Sequence, residues 1–419
     1  MISHMDPRLS KGGAEIAALQ LYDQLLSSGE IDGWFLSAAP NKLERRDGVV
    51  FAQPFDKRSY VYASGQFDHF LHANMDAPFF AHARKLFAEM EPDIVHFHHY
   101  TNFGVELLSI VKEVVPNAKI VLTLHEFLAI CHHYGQMVKR DSLALCERSS
   151  PRECATCFPD QSPQNFFLRK AYIMRHFRHV DHFIAPSEFL AERYIEWGLD
   201  RNRMSVVENG SPHIAPRVAA SSGPSNRQLR VGFFGQISKL KGMNVMLDAA
   251  RMLAESRAPV QFDIHGDYGS QPREFQIEFL ERMKAKPGNV QYFGPYGNSR
   301  VGQIMGTLDA VIVPSIWWEN SPLVIQEALA HGCPVICSDI GGMKEKVRPG
   351  LDGFHFQAGS AFALAELLTR LAEDRTQLNL VRTVMRKPPT IAETASITER
   401  LYRALRQPVA LQRSAFQEA

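Results

Sequence analysis

Two Rossmann-like α/β units joined by one linker form the fold class that this sequence predicts, and three observations predict it. Strand-like apolar runs alternate with helical stretches along nearly the whole chain, the pattern of parallel sheets with crossover helices. The alternation stops at residues 212–227, where Pro, Ala, Ser and Gly replace apolar residues, and then restarts. A chain of 419 residues, 45% of them hydrophobic, has the length and the apolar content for two cores.

The elements follow in order. The first unit, residues 1–213, opens with only Met1 to Met5 ahead of Asp6-Pro7, so its first strand is expected to be short; either the chain starts late or the sheet edge is built differently. A helix over 14–26 carries Ile16, Leu19, Tyr22 and Leu26 at helical spacing. Residues 93–97, 119–124 and 182–185 read as buried strands, and 205–207 as a last short one. In the second unit, residues 225–385, the strands are 230–234, 260–265, 290–293, 310–313 and 334–338, with helices over 244–254 and 323–331. Pro388 and Pro389 break the chain before a terminal helix over 391–405, and the residues from Gln407 on are expected to be poorly tied down. A cleft between two such units is the expected ligand site.

Composition excludes several classes. A net charge of +1 leaves no basic excess for nucleic acid and no acidic, solvating tail. No apolar run approaches the ~18–20 residues of a membrane-spanning helix. Residues 1–11 lack the apolar core and small-residue cleavage site of a signal peptide, so the expected compartment is the cytosol. Disulfides are not expected there, although the chain has six cysteines.

The strongest chemical signal is the stretch 314–331, PSIWWENSPLVIQEALAH. A buried strand ends, a loop follows, and a helix starts with Ser321 suited to the N-cap and Pro322 to the first helical position. Amides of the first turn, such as those of Leu323 and Val324, together with the positive end of the helix dipole, suit a phosphate or diphosphate. Glu319 precedes that site with Asn320 beside it, and Glu327 follows one to two turns into the helix. Carboxylates suit sugar hydroxyls, which donate to them, better than they suit phosphate. The plainer alternative is a surface helix with two solvated glutamates.

Further segments turn this into a resemblance. The stretch resembles the Glu-x7-Glu element of the retaining glycosyltransferases of family 4, which have the GT-B fold. Gly235-Gln236-Ile237-Ser238-Lys239-Leu240-Lys241-Gly242 resembles the family's Gly-Arg-Leu-x-x-x-Lys-Gly loop. Gly266-Asp267-Tyr268 resembles its Gly-x-Gly turn, with Tyr268 in place of the second glycine. Thr123-Leu124-His125-Glu126 resembles its strand-end histidine, and Lys11-Gly12-Gly13-Ala14-Glu15 its N-terminal glycine loop. The five matches stand in the family's order and span nearly the whole chain.

The resemblance implies the GT-B arrangement of two Rossmann-like domains facing each other across a cleft, with the helix over 391–405 packing back on the first. The first domain would bind the acceptor and the second the nucleotide-sugar. Lys241 and the helix starts near Gly12-Gly13 and Leu323-Val324 would stabilise the leaving diphosphate. Glu319 and His125 would hold the donor sugar, Glu327 the ribose hydroxyls, and Gln236, Gly266 and Asn320 would line the donor site. Gln236 stands where the family has an arginine, so the second phosphate clamp lacks its charge; Lys239 is a candidate to supply it. His96, His98 and His99 enrich the same face of the first unit in imidazole, and residues 292–296 fall where the family places the nucleotide base. Transfer would retain the anomeric configuration through a transition state resembling an oxocarbenium ion, with no catalytic metal.

Two segments lie outside this scheme. Residues 166–180 are basic and aromatic, and Arg169, Lys170, Arg175 and Arg178 suit anionic lipid head groups if exposed; packing on the protein's own sheet is the alternative. Cys131-x14-Cys146-x7-Cys154-x2-Cys157 fits a structural zinc site, with free buried thiols and redox chemistry as alternatives. Cys333 and Cys337 read as core. The expected partners are a UDP- or GDP-sugar and a glycan or polyprenyl-linked acceptor, with peripheral contact at the cytoplasmic membrane face and no nucleic acid. Surface polysaccharide assembly, such as that of lipopolysaccharide, is the setting the family implies. A nucleotide-sugar 2-epimerase of the same fold and a non-catalytic sugar-nucleotide or glycan-binding protein remain alternatives; a phosphorylase would need a pyridoxal-binding lysine, and none is identifiable.

Overall fold

The computed structural model describes residues 1–10, 12–39, 48–63, 65–211 and 228–407. Lys11, the linker read over 212–227 and the tail beyond Gln407 lie outside them. The chain divides into two compact units: Met1–Gly210 together with Pro389–Ala419, and Ser211–Pro388.

The described strands of unit 1 are β1 (Ile2–Ser3), β2 (Phe35–Ala38), β3 (Phe51–Ala52), β4 (Ser59–Tyr62), β5 (Phe67–Asp68), β6 (Ala73–Asn74), β7 (Ile94–Phe97), β8 (Lys119–Thr123), β9 (His182–Ala185) and β10 (Met204–Val206). Eight of them form one sheet in the order β10-β9-β8-β7-β1-β2-β4-β3, and β5 and β6 pair separately. Every pairing in the large sheet is parallel except that of β3 with β4. Strands β8 and β9 are nearly continuous apolar runs because both faces are covered.

Strand β1 is as short as its sequence suggests, yet it lies inside the sheet rather than at an edge. Ile2 pairs with Leu36 on one side and Phe97 on the other. Backbone hydrogen bonds continue the ladder on both sides, from Leu36 N to Met1 O (2.8 Å) and from His98 N to Ile2 O (2.8 Å). The strand order reverses between β1 and β7, the position where open α/β sheets bind ligands at their carboxyl ends.

The terminal helix, Ile391–Arg406, belongs to unit 1. It starts in a capping box of Thr390 and Glu393 and buries Ala395, Leu401, Tyr402 and Leu405 against Leu21 and Leu25 of the helix Gly13–Ser27. His96 fastens it: its Nδ1 meets the Tyr402 hydroxyl at 2.5 Å and its Nε2 meets Thr123 Oγ1 at 2.7 Å. His96 is therefore a structural residue, unlike His98 and His99, which lie beyond the strand end.

Unit 2 contains β11 (Leu229–Phe234), β12 (Val260–His265), β13 (Val290–Gly294), β14 (Ala310–Val313), β15 (Val335–Ser338) and β16 (Gly353–Phe356). They form one parallel sheet in the order β13-β12-β11-β14-β15-β16, which reverses between β11 and β14. Alternation along β14 shows why it is apolar throughout: Ile312 packs with Phe262 and Leu253 on one face, and Val311 and Val313 with Ile325 and Leu329 on the other.

Candidate functional site

The reversal in unit 2 sets the loop after β11 beside the loop after β14. The backbone joins them, with Ile316 N donating to Leu240 O at 2.9 Å. Gly242 makes this approach possible. It sits at φ +74°, and a Cβ there would lie 1.8 Å from the Pro314 carbonyl oxygen. The neighbouring turn is equally close, since a Cβ on Gly266 would lie 1.9 Å from Gly235 O.

Across this junction Lys241 Nζ donates to Glu319 Oε1 at 2.6 Å. Two more donors reach the same oxygen, Ser315 Oγ at 2.8 Å and Trp317 Nε1 at 2.9 Å. The carboxylate is buried, with Glu319 6% exposed, while the lysine keeps partial access to solvent. A buried carboxylate with three donors on one oxygen is fixed in place, and it fixes the ammonium in turn. Sequence reasoning picked out both residues but missed Ser315 and Trp317, which flank Glu319 in the same loop.

The following helix is Leu323–Ala330, and its cap differs from the expectation. Pro322 occupies the N-cap, not the first helical position, and no side chain caps the helix, so Ser321 does not play the part expected of it. The first turn closes from Ile325 N to Pro322 O at 3.0 Å, which sets the amides of Leu323 and Val324 ahead of it at the helix start. Asn320 turns its carbonyl toward the start of the helix Gly341–Lys346, where a Cβ on Gly342 would lie 1.7 Å from it. Glu327 is partly buried, and burial pushes its carboxyl up to about 7. Tyr296 lies close enough to sense that charge: burial, then Glu327, raise its phenol. Gln236 is exposed and donates to Ser270 Oγ at 2.6 Å, and Lys239 is exposed as well. Tyr292 braces the turn at Gly266, its hydroxyl donating to Gly266 O at 3.1 Å.

Unit 1 gathers a second polar group around its own reversal, drawn from the loops after β1, β7 and β8. His98 Nδ1 and His125 Nε2 are 3.0 Å apart. His99 Nδ1 accepts the amides of Tyr100 and Thr101, both at 3.0 Å, so its proton is on Nε2, which faces Glu126 Oε1 at 3.0 Å. His4 Nε2 faces Glu15 Oε1 at 3.3 Å, and the rings of His4 and His99 lie 4.2 Å apart. Burial holds His125 down at about 4, against the opposing pull of Glu126, so it is a neutral imidazole at pH 7. Burial opposes ionisation of Glu126, but His99, which meets it at 3.0 Å, outweighs burial and keeps the carboxyl below its usual range.

Gly12 is the N-cap of the helix Gly13–Ser27, and Gly13 its first residue. A Cβ on Gly12 would lie 2.3 Å from Glu15 Oε2, so the space beside this glycine is taken by the helix's own carboxylate. His4, Glu15 and Glu126 were not singled out from sequence as site residues. The available signals were Glu126 directly after His125 and a buried acid in the first turn of a glycine-led helix.

The lipid reading of residues 166–180 needs correction at Arg169. This residue is 3% exposed and points inward from the helix Pro163–Phe177. Its guanidinium donates to three carbonyls: Phe70 O at 2.7 Å, and Ala129 O and Leu128 O, both at 2.5 Å. It ties down the loop that follows His125 and Glu126. Among the described residues, no helix is long and apolar enough to cross a membrane. Cys131, Cys146, Cys154 and Cys157 line one small cavity in unit 1, while Cys333 and Cys337 are buried in the core of unit 2.

Two family descriptions match this chain: Glycosyltransferase Family 4 over residues 11–212 and Glycosyl transferases group 1 over residues 217–386. The D-inositol 3-phosphate glycosyltransferase of Nocardia farcinica is 27% identical over 298 residues, covering 68% of this chain. The match spans 60% of that relative's own length. Among solved structures, Anabaena Alr3699/HepE in complex with UDP and glucose superimposes with a TM-score of 0.66 at 18% identity, over 96% of this chain and 98% of that one. Sucrose-phosphate synthase from Thermosynechococcus elongatus gives 0.68 at 17% identity, over 96% and 98% of the two chains. These likenesses show the fold, which is GT-B.

Proposed function

Because this chain belongs to glycosyltransferase family 4, we propose that it moves a hexosyl group from a nucleoside-diphosphate sugar to a glycan or polyprenyl-linked acceptor, with retention of the anomeric configuration. The observation that carries this reading is the Lys241–Glu319 pair at the strand-order reversal of unit 2, beside a helix start. The ammonium and the amides of Leu323 and Val324 stabilise the diphosphate as the glycosidic bond breaks and charge moves onto it. Three donors already hold Oε1 of Glu319; its Oε2 accepts from the donor sugar. His125, a neutral imidazole, exchanges a hydrogen bond with a sugar hydroxyl without adding charge near an electron-poor anomeric carbon. Glu327 takes the ribose hydroxyls. Unit 2 thus serves the donor and unit 1 the acceptor.

A uridine nucleotide is the favoured donor class, in keeping with the UDP and glucose held by the Anabaena protein of the same fold. The setting that fits such a transfer is the cytoplasmic face of a membrane where surface polysaccharide, lipopolysaccharide included, is assembled. The test is a thermal-shift panel of UDP- and GDP-sugars on the purified chain, followed by NMR of the product with a responsive donor. The reading expects one donor class to raise the melting temperature and an axial or equatorial product bond that keeps the donor's configuration. A new nucleotide-sugar formed without acceptor would instead identify an epimerase, and no response to any donor would count against both.

A further inference from the structure

The cysteine segment of unit 1 has little to hold it together by packing. Between residues 131 and 162 the buried apolar side chains are Met137 and Val138. The helix Pro151–Cys157 buries none of its residues. Three non-glycine residues in this stretch, Tyr134, Met137 and Leu143, adopt left-handed φ of 49°, 49° and 57°, a conformation that costs free energy unless the surroundings impose it. Such a segment needs a crosslink from elsewhere.

Its four cysteines line one cavity. Cys146 is brought in by a small hairpin, with its amide donating to Met137 O at 2.8 Å and Val138 bridging Leu145. Cys154 and Cys157, three apart on a helix capped by Ser150, share one side of it. Cys131 closes the turn after Phe127, donating to its carbonyl at 2.8 Å. Together they line a cavity of about 30 Å³, room for one ion or one water. Among the described residues these four cysteines form no disulfide. Among the described residues no three His, Cys, Asp or Glu are placed to hold a metal ion as they stand, so binding requires the four cysteines to draw together.

We propose that Cys131, Cys146, Cys154 and Cys157 bind one zinc ion in a closed, structural site that staples residues 131–157. Four soft sulfur donors around an ion-sized space suit tetrahedral zinc and leave no position for substrate. Each thiol loses its proton to solvent on binding, and the nearby Lys139 and Arg148 offset the two negative charges that a zinc ion with four thiolates carries. The staple ends at Cys131, five residues beyond Glu126, so it also steadies the loop that leaves His125. The inference does not depend on the transferase reading.

The experiment is elemental analysis of the full chain purified without chelator, expecting about one zinc per chain. Cys146→Ser and Cys154→Ser should each lose the metal, while Cys333→Ala in unit 2 keeps it. Should the serine variants fail to fold, stepwise modification of the wild-type thiols with an organomercurial provides the second readout, with zinc released in proportion to the thiols blocked. A folded wild-type chain that carries no zinc and takes up none when zinc is added would overturn the proposal. So would a disulfide among these cysteines by mass spectrometry, or iron in place of zinc.

Discussion

Lys241 and Glu319 come from loops on opposite sides of the strand-order reversal in unit 2, and their charges meet at 2.6 Å. The pair links chemistry to stability, because the carboxylate is buried and depends on that cation. Lys241→Ala should lower kcat by roughly 10²–10³-fold, the usual loss on removing one group that stabilises developing negative charge. It should also destabilise unit 2 by about 1–3 kcal/mol, since Ser315 and Trp317 remain as neutral donors only. Adding Glu319→Gln to the lysine variant should recover stability without recovering turnover. Urea denaturation and initial rates on the same preparations separate the two effects; parallel recovery of both would refute the assignment.

Glu327 gives a pH test with a definite sign. Its folded-state pKa is raised from 4.5 to about 7 by burial. The folded chain therefore holds the proton more tightly than the unfolded one, and stability falls as pH rises from about 4.5 to about 7. Glu327→Gln removes that dependence. The stability difference, variant minus wild type, should grow across this window by on the order of 3 kcal/mol at most and stay flat outside it. Denaturation curves at a series of pH values measure it, and a pH-independent difference would mean that Glu327 titrates normally.

Gly242 should tolerate no side chain. Alanine there meets both the left-handed backbone and the Pro314 carbonyl, so Gly242→Ala is expected to cost roughly 2 kcal/mol or more and to loosen the loop that carries Lys241. Gly288 has nothing within 4 Å of its Cβ position and serves as the control. Gly288→Ala should leave the melting temperature within a degree or so of wild type, on the order of ±0.5 kcal/mol.

Arg169→Leu should destabilise unit 1 by about 3 kcal/mol, because three carbonyls lose a charged donor in a buried place. Arg175→Leu, on the exposed side of the same helix, should change stability by no more than about 0.5 kcal/mol. Equal effects of the two substitutions, read by chemical denaturation, would show that the carbonyl contacts contribute little.

Some of this molecule could be read from its residue order and some could not, for reasons visible in particular elements. Strands β9 and β14 are legible with the bounds they have because both faces are buried and their sequences are mostly apolar runs, and β12 because Val260, Phe262 and Ile264 alternate with polar residues. Strands β2, β4 and β16 escaped notice: FLSA, SYVY and GFHF are short and mix polar with apolar positions, so neither run nor alternation stands out. Lys241, Glu319 and Glu327 stood in motifs. The grouping of His4, Glu15, His99 and Glu126 is not legible as a group, since it arises from three loops and a helix start that become neighbours only once the strand order is known. Arg169 was misread because composition reports that a helix is basic but not which of its cations turns inward.

The bond between His96 and Tyr402 joins positions 306 residues apart, with the whole of unit 2 encoded between them. Unit 1 is thus interrupted in the gene and cannot reach its final packing until the helix Ile391–Arg406 has been made. Until the last helix emerges, Leu21 and Leu25 lack their cover, and a closure of this span is entropically costly and slow. Unit 2, continuous in sequence, has no such wait, so the order of maturation on the ribosome should run opposite to the order of synthesis.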